Sequence, residues 1–463
     1  MTKKSKIALV TGLLLIGVLT LFLLQPEPSG DSDASREPPA PTYSVYAAPS
    51  PPARIHIRNT VSAFNIEAAG QEDAYRVAEF DASIPLNATL LSSVGRNAAS
   101  LTATLMIQEP QEPLSSYGLE HPVEVVLDFG DSKTTLYLGG LAPDGSTVYL
   151  QAAGDHLAET GPGIIYGVSL ESVKSYFLGA LDFIHPTISQ ISMSGLLFDT
   201  ALFSGALRPE PISLERVPPA SDELPSTYRL TAPVRRDVDP SGGLLALRSL
   251  MGIIASDAVA VHPDEETLRR YGLETPYSTV RLTGTEEGDF TLSASEPDGT
   301  GRLYLIREGV PVIYSLSASS LGWLSLDVDD LMDKTIFNPT LSEISSLVLE
   351  TPAASYTLGL EGGENSLSVT LGGEPLDTGR FRTFFQALTA GALTGYTATE
   401  TGEGGAFLLR ITCGYRDGSP PEIITFYPGP AREAYVSFGE GPAAFRTSST
   451  YVDRALAELK ALA

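Results

Sequence analysis

The sequence predicts an α+β chain of three tandem related units, each a mostly antiparallel sheet with helices on one side. Three observations predict it. LSSYGLEHPVEVVLDF at Leu114 returns as LRRYGLETPYSTVRL at Leu268, 154 residues later. Five further segments return at nearly that offset. Between them lie short alternating runs, and 43 Gly and 34 Pro favour turns over long helices.

The further pairs are collinear. AYRV and TYRL are 153 apart at Tyr75 and Tyr228, and the APDG and EPDG turns at Ala142 and Glu296 are 154 apart. VYLQ at Val148 matches LYLI at Leu303. IYGVSLESV at Ile165 matches IYSLSASSL at Ile313, 148 apart; FIHPTISQIS and IFNPTLSEIS are 153 apart at Pro186 and Pro339. A period near 150 is domain-sized, well beyond the roughly 20–50 residues of a solenoid repeat. HPTIS and NPTLS read as joints, each closing one copy and opening the next. Unit one is then 53–185, unit two 186–338 and unit three 339–463.

In chain order, residues 1–6 read as a cytoplasmic tail. Lys3, Lys4 and Lys6 precede Ile7 to Leu24, 18 uncharged residues. As a helix that run is about 27 Å long, enough to span hydrocarbon, and its lysines keep the N-terminus cytoplasmic. A cleaved signal peptide is the rival, but LLQPEPSG lacks a small-x-small site. A single-pass anchor in the cell membrane, with the bulk of the chain extracytoplasmic, is the expectation. Residues 25–52 are proline-rich and polar and read as an extended linker.

Within a unit, RIHI, FNIEA and YRVAEF are strands. Asp81 to Pro85 and Asp239-Pro240 read as acidic helix starts, before LNATLLSSVGRNAASL and GGLLALRSLMGIIAS. The YGL segment follows. VEVVLDF, TTLYLGG, TVYLQ and IIYGVS form a meander, and SVKSYFLGAL reads as a closing helix. Unit three lacks YGL. It keeps EISSLVLE, RFRTFFQALTAG, AFLLRITCGY, AYVSF, AAFRTSS and a last helix from Val452.

YGL reads as a structural joint. Gly118 and Gly272 take the left-handed position after a helix end, which is cheap only for glycine. Leu114 with Leu119, and Leu268 with Leu273, occupy the two positions that meet across such a cap. Pro122 and Pro276 stop the helix and extend the backbone before them. Tyr117 and Tyr271 complete the motif; exposed ligand contact is their alternative role.

Strand, helix, YGL-x-x-P, meander and PDG turn behind an N-terminal anchor resemble the bacterial family called domain of unknown function 4340. The resemblance covers units one and two well and unit three loosely; YGLEHP and YGLETP are its most specific pieces. The family has no established activity and supplies no catalytic residues. The resemblance implies an envelope protein beside an ABC transporter, with transporter subunits as partners.

Chemistry is sparse. A net charge of −26, with seven lysines, excludes a nucleic-acid footprint. The one cysteine, Cys413, excludes an internal disulfide and reads as a buried hydrophobe. His56, His121, His156, His185 and His262 form no helical metal pair. No nucleophile elbow, zinc motif or phosphate loop occurs. Asp237, Asp239, Ser241 and Gly242 imitate a calcium loop, but Arg248 stands where it needs glutamate. DVDD at Asp327 reads as a solvated helix start. The 19 tyrosines pair across strands, or line a binding face. The expectation is a non-enzymatic, cofactor-free envelope protein accessory to an ABC-type exporter, contacting substrate or transporter. A glycan- or peptide-binding module and a hydrolase without a visible motif are the alternatives.

Overall fold

The computed structural model describes residues 41–462 apart from 71–73, 160–162, 190–197, 220–225, 251, 364–365 and 398–405. The proposed tail 1–6 and anchor 7–24 lie outside the described residues, as does most of the linker. Among the described residues no helix is long and apolar enough to cross a membrane.

Mostly antiparallel sheets with few helices make up the chain. The first stretch holds β1 (Tyr43–Ala47), β2 (Arg54–Arg58), β3 (Ala63–Ala68), β4 (Tyr75–Val77), α1 (Ala88–Asn97), β5 (Ser100–Ala103), β6 (Leu105–Ile107), β7 (Val123–Asp128), β8 (Lys133–Leu141), β9 (Thr147–Gly154), β10 (Ile165–Ser169) and α2 (Leu170–Val173). The second holds β11 (Thr200–Ser204), β12 (Ile212–Val217), β13 (Thr227–Ala232), β14 (Arg236–Asp237), α3 (Gly242–Leu247), β15 (Asp257–Val261), α4 (Glu265–Arg270), β16 (Ser278–Thr285), β17 (Gly288–Ala294), β18 (Arg302–Arg307), β19 (Val310–Ser317) and α5 (Val328–Leu331). The third holds β20 (Ile344–Glu350), β21 (Ser355–Glu361), β22 (Ser368–Leu371), β23 (Glu374–Leu376), α6 (Thr378–Thr389), β24 (Leu393–Tyr396), β25 (Leu409–Tyr415), β26 (Glu422–Pro428), β27 (Glu433–Phe438), β28 (Phe445–Ser448) and α7 (Ser449–Leu462).

Among the described residues β1 and β5 form a two-stranded sheet of their own, and the three large sheets share one strand order, the first lacking one strand at its opening edge. That order is β4-β3-β2-β7-β8-β9-β10-β6, then β14-β13-β12-β11-β16-β17-β18-β19-β15, then β23-β22-β21-β20-β25-β26-β27-β28-β24. In each sheet the opening hairpins lie on one side and the meander on the other, and the strand after the helix returns to the far edge. Alternation sets the faces: β7 buries Val123, Val125 and Leu127 and turns the residues between them outward. The buried side chains of all three sheets form one continuous cluster.

Four sequence expectations need correction. The linker does not reach residue 52. Strand β1 pairs antiparallel with β5, Val45 and Tyr46 are buried, and the Tyr46 hydroxyl donates to the Ala98 carbonyl at 3.1 Å. TYSVYA is a β-forming run whose flanking prolines, Pro41 and Pro49, stay outside the strand. Asp81 does not start α1. Asn87 does, its Oδ1 accepting from Leu90 N at 3.1 Å, while Asp81 holds Ser83 in a turn. The closing helix SVKSYFLGAL breaks into α2 and two single 3-10 turns, Lys174–Phe177 and Ala180–Phe183, separated by extended backbone at Leu178 and Gly179.

The joints are also out of phase with the HPTIS/NPTLS match. Phe183 to His185 pair with Pro85 to Asn87, and Leu331 to Asp333 pair with Asp237 to Asp239. Thr187 then bridges to Ile254, and Thr335 to Ala392. The equivalent residues are thus 148 apart, and Asn338-Pro339 lies beyond the second joint. Main-chain pairing is indifferent to side chains, so the Pro-Thr-x-Ser resemblance carried no information on this register.

Candidate functional site

The YGL segments close short helical turns. Gly118 has φ 68° and Gly272 φ 69°; Leu119 N donates to Leu114 O at 3.0 Å and Leu273 N to Leu268 O at 2.8 Å. Those long-span bonds satisfy the last carbonyls of each turn. Leu119 and Leu273 are buried, Leu268 is half-buried, and Leu114 is 44% exposed. Pro122 and Pro276 lie just ahead of β7 and β16. The second copy forms a full α-helix because Asp264 caps it, accepting from Thr267 N at 2.8 Å. The first has proline at its cap and stays a four-residue 3-10 turn.

The two tyrosines face strand tyrosines. Tyr117 meets Tyr149 edge-on at 5.0 Å between centroids, and Tyr271 meets Tyr304 at 4.6 Å. Tyr149 and Tyr304 occupy corresponding strands, β9 and β18. Sequence spacing alone does not mark Tyr149 and Tyr304 as the partners, although VYLQ and LYLI recur at nearly the YGL offset. The turn lies so close to β8 that a Cβ on Gly118 would fall 2.8 Å from the Gly140 Cα. On Gly272 the nearest atom is the Ser295 Cβ, at 3.3 Å.

Two histidines make contacts that invite a catalytic reading. Ser132 Oγ and His156 Nε2 are 2.7 Å apart, and the ring stands edge-on to Phe129. No carboxylate among the described residues pairs with that imidazole. His262 Nε2 lies 3.1 Å from Asp81 Oδ2, and Ser83 Oγ donates to Asp81 Oδ1 at 2.5 Å. A serine nucleophile needs imidazole between hydroxyl and carboxylate. Here the carboxylate stands in the middle. The Ser83 bonds hold the Asp81 carboxyl below its ordinary range, which makes it a poor proton acceptor. The other contacts are local: His56 Nδ1 to Asn65 Oδ1, and Thr187 N to His185 Nδ1.

The remaining candidates are accounted for by geometry. Asp239 Oδ1 accepts from Ser241 N at 3.0 Å and Gly242 N at 2.5 Å at the start of α3, and Asp237 pairs with Arg229 Nε at 2.6 Å. Asp327 caps α5. Among the described residues no three His, Cys, Asp or Glu converge as a metal site. Cys413 is fully buried, and burial pushes its thiol up to about 12.

The inter-sheet joints are the most built features. Arg307 of β18 donates from Nη1 to the Ile188 carbonyl at 2.9 Å, pairs with Glu287 and stacks on Phe290 at 4.0 Å. At the second joint Arg236 of β14 donates from Nε to Asp333 O at 3.1 Å and also bonds Thr335 O. Its plane lies 4.2 Å from the Phe438 ring centroid. Each joint is therefore held by a guanidinium that satisfies main-chain carbonyls while its face covers an aromatic ring. Across the same junction Tyr396 OH donates to Glu210 Oε2 at 3.1 Å, and Tyr396 N to Asp329 Oδ1 at 2.6 Å. A groove of about 870 Å³ runs past the first joint, lined by Ser83, His262, Leu268, Thr291 and Val310 but not by Tyr271.

No curated protein matches the chain. One family model matches residues 244–403, from within α3 to just past β24, so it takes the later part of the second sheet and the opening of the third. By that match the segment 244–403 belongs to the family described as Domain of unknown function (DUF4340).

Proposed function

We propose that the chain is a non-enzymatic, membrane-anchored arm of the bacterial cell envelope that serves as an accessory or substrate-contacting component of an ABC-type exporter. We also read its three sheets as copies of one ancestral module. The observation that carries this is the repeated strand order with gripped joints, which makes a continuous surface rather than separate beads. Residues 7–24 would hold the chain at the membrane with its bulk outside. Because β1 is stitched to β5, residues 25–42 alone would be the tether, spanning at most roughly 60 Å. Tethering raises the effective concentration of the arm at a membrane partner. Affinity capture of the full chain from native membranes tests this. Recovery of a transporter subunit, lost on deleting residues 1–24, is the expected result; recovery of none contradicts it.

A further inference from the structure

We propose that the cleft between the second and third sheets binds a small zwitterion, an amino acid or short peptide, with Arg208 taking its carboxylate and Glu210 and Asp327 its ammonium. This goes beyond the exporter reading and does not depend on it. The cleft holds about 540 Å³ and has apolar walls that include Leu207, Ile212 and Val328. That size and lining suit a small ligand oriented by a few polar groups.

Arg208 is the unusual member. It is only 9% exposed. Its Nη2 is spent on the main-chain carbonyls of Trp323 and Leu326, the latter at 2.9 Å, with Leu324 O farther off at 3.4 Å. Nη1 has one long bond, 3.4 Å, to Ser278 Oγ. No carboxylate among the described residues lies within ion-pair distance of it. A guanidinium has five donors, and burial disfavours its charge, with the Asp327 carboxylate, beyond ion-pair distance, offsetting part of that cost. Among the described residues its Nε–H has no hydrogen-bond partner, and that group with part of Nη1 would take the ligand's carboxylate.

Two carboxylates face the same space. Glu210 is held by the Tyr396 hydroxyl through Oε2, and among the described residues no hydrogen bond reaches its Oε1. Asp327, at the start of α5, lines the cleft beside it. A simple anion meets two negative charges here, and a simple cation meets the guanidinium. A molecule carrying both charges satisfies both ends.

The test is calorimetry on the full chain in detergent, with alanine, Ala-Ala, N-acetyl-Ala-Ala and Ala-Ala amide as probes. Saturable binding of alanine or Ala-Ala is expected, with both blocked peptides at least tenfold weaker. Preference for alanine identifies an amino-acid site, and preference for Ala-Ala a peptide site. Glu210→Gln, which keeps an acceptor for the Tyr396 hydroxyl, is expected to weaken the zwitterion at least fivefold with the chain still folded. Arg208→Ala is avoided, because losing the carbonyl bonds endangers the fold. No binding by any probe, blocked peptides binding as tightly as Ala-Ala, or an unaffected Glu210→Gln variant would overturn the proposal.

Discussion

Alanine at Gly118 and at Gly272 should have unequal costs, although the motif around them is the same. Both glycines sit near φ +68°, where an L-residue costs about 1–2 kcal/mol. At Gly272 that is nearly the whole cost, because the new methyl meets only the Ser295 side chain at 3.3 Å. At Gly118 the methyl lands in the main chain of β8, 2.8 Å from Gly140 Cα. Backbone in a central strand cannot swing aside as a side chain can, so a further ~1–3 kcal/mol of overpacking follows. The expected totals are about 1–2 kcal/mol at Gly272 and about 2–5 kcal/mol at Gly118. A chain with three large sheets need not unfold in two states, so a local assay separates the two sites. Amide exchange of β7 and β8 reports the first sheet, and Trp323 emission in urea the second. Equal costs, or a larger cost at Gly272, would refute the close-approach reasoning.

Other outcomes follow from the same geometry. Arg236→Lys should lose the stacking on Phe438 and one of its two carbonyl bonds, weakening the second joint by about 1–2 kcal/mol; faster exchange of the Leu393 amide, which donates to Lys334 O, reads it. Asp144, Asp239, Asp264 and Asp298 are held below the ordinary carboxylate range by hydroxyl and backbone donors in their turns. A depressed folded-state pKa gives stability that is complete above the unfolded value and lost as pH falls through the folded one. Melting temperature should therefore be flat above about pH 5 and drop below about pH 4, and Asp→Asn at these positions should flatten the drop. The Cys413 thiol should stay unreactive toward a thiol reagent at pH 8 until the third sheet is unfolded in urea.

Much of the fold was legible where local physics decides. The meander strands, the Asp-Gly turns and the glycine caps each rest on residues within a few positions of one another. Asp144 and Asp298 carry their turns with their own side chains, accepting from Ser146 and Thr147, and from Thr300 and Arg302. What was missed depends on distant partners. Strand β1 exists because β5 and Leu157 flank it, which a proline-rich context concealed. The joint register is written in main-chain bonds, so no side-chain pattern marks it. Arg236 and Arg307 look like ordinary strand-end cations until Phe438 and Phe290 come beneath them. Arg208 stands out only once its burial is known.

The most direct test of the claim that the repeated signatures shape the backbone and do not react or recognise is the Tyr117→Ala/Tyr271→Ala double variant of the full chain. Each change removes an edge-on ring contact worth about 0.5–1.5 kcal/mol beyond its buried area. The prediction is a lower melting temperature with capture of the membrane partner unchanged per folded molecule. Unchanged stability together with lost capture would contradict it.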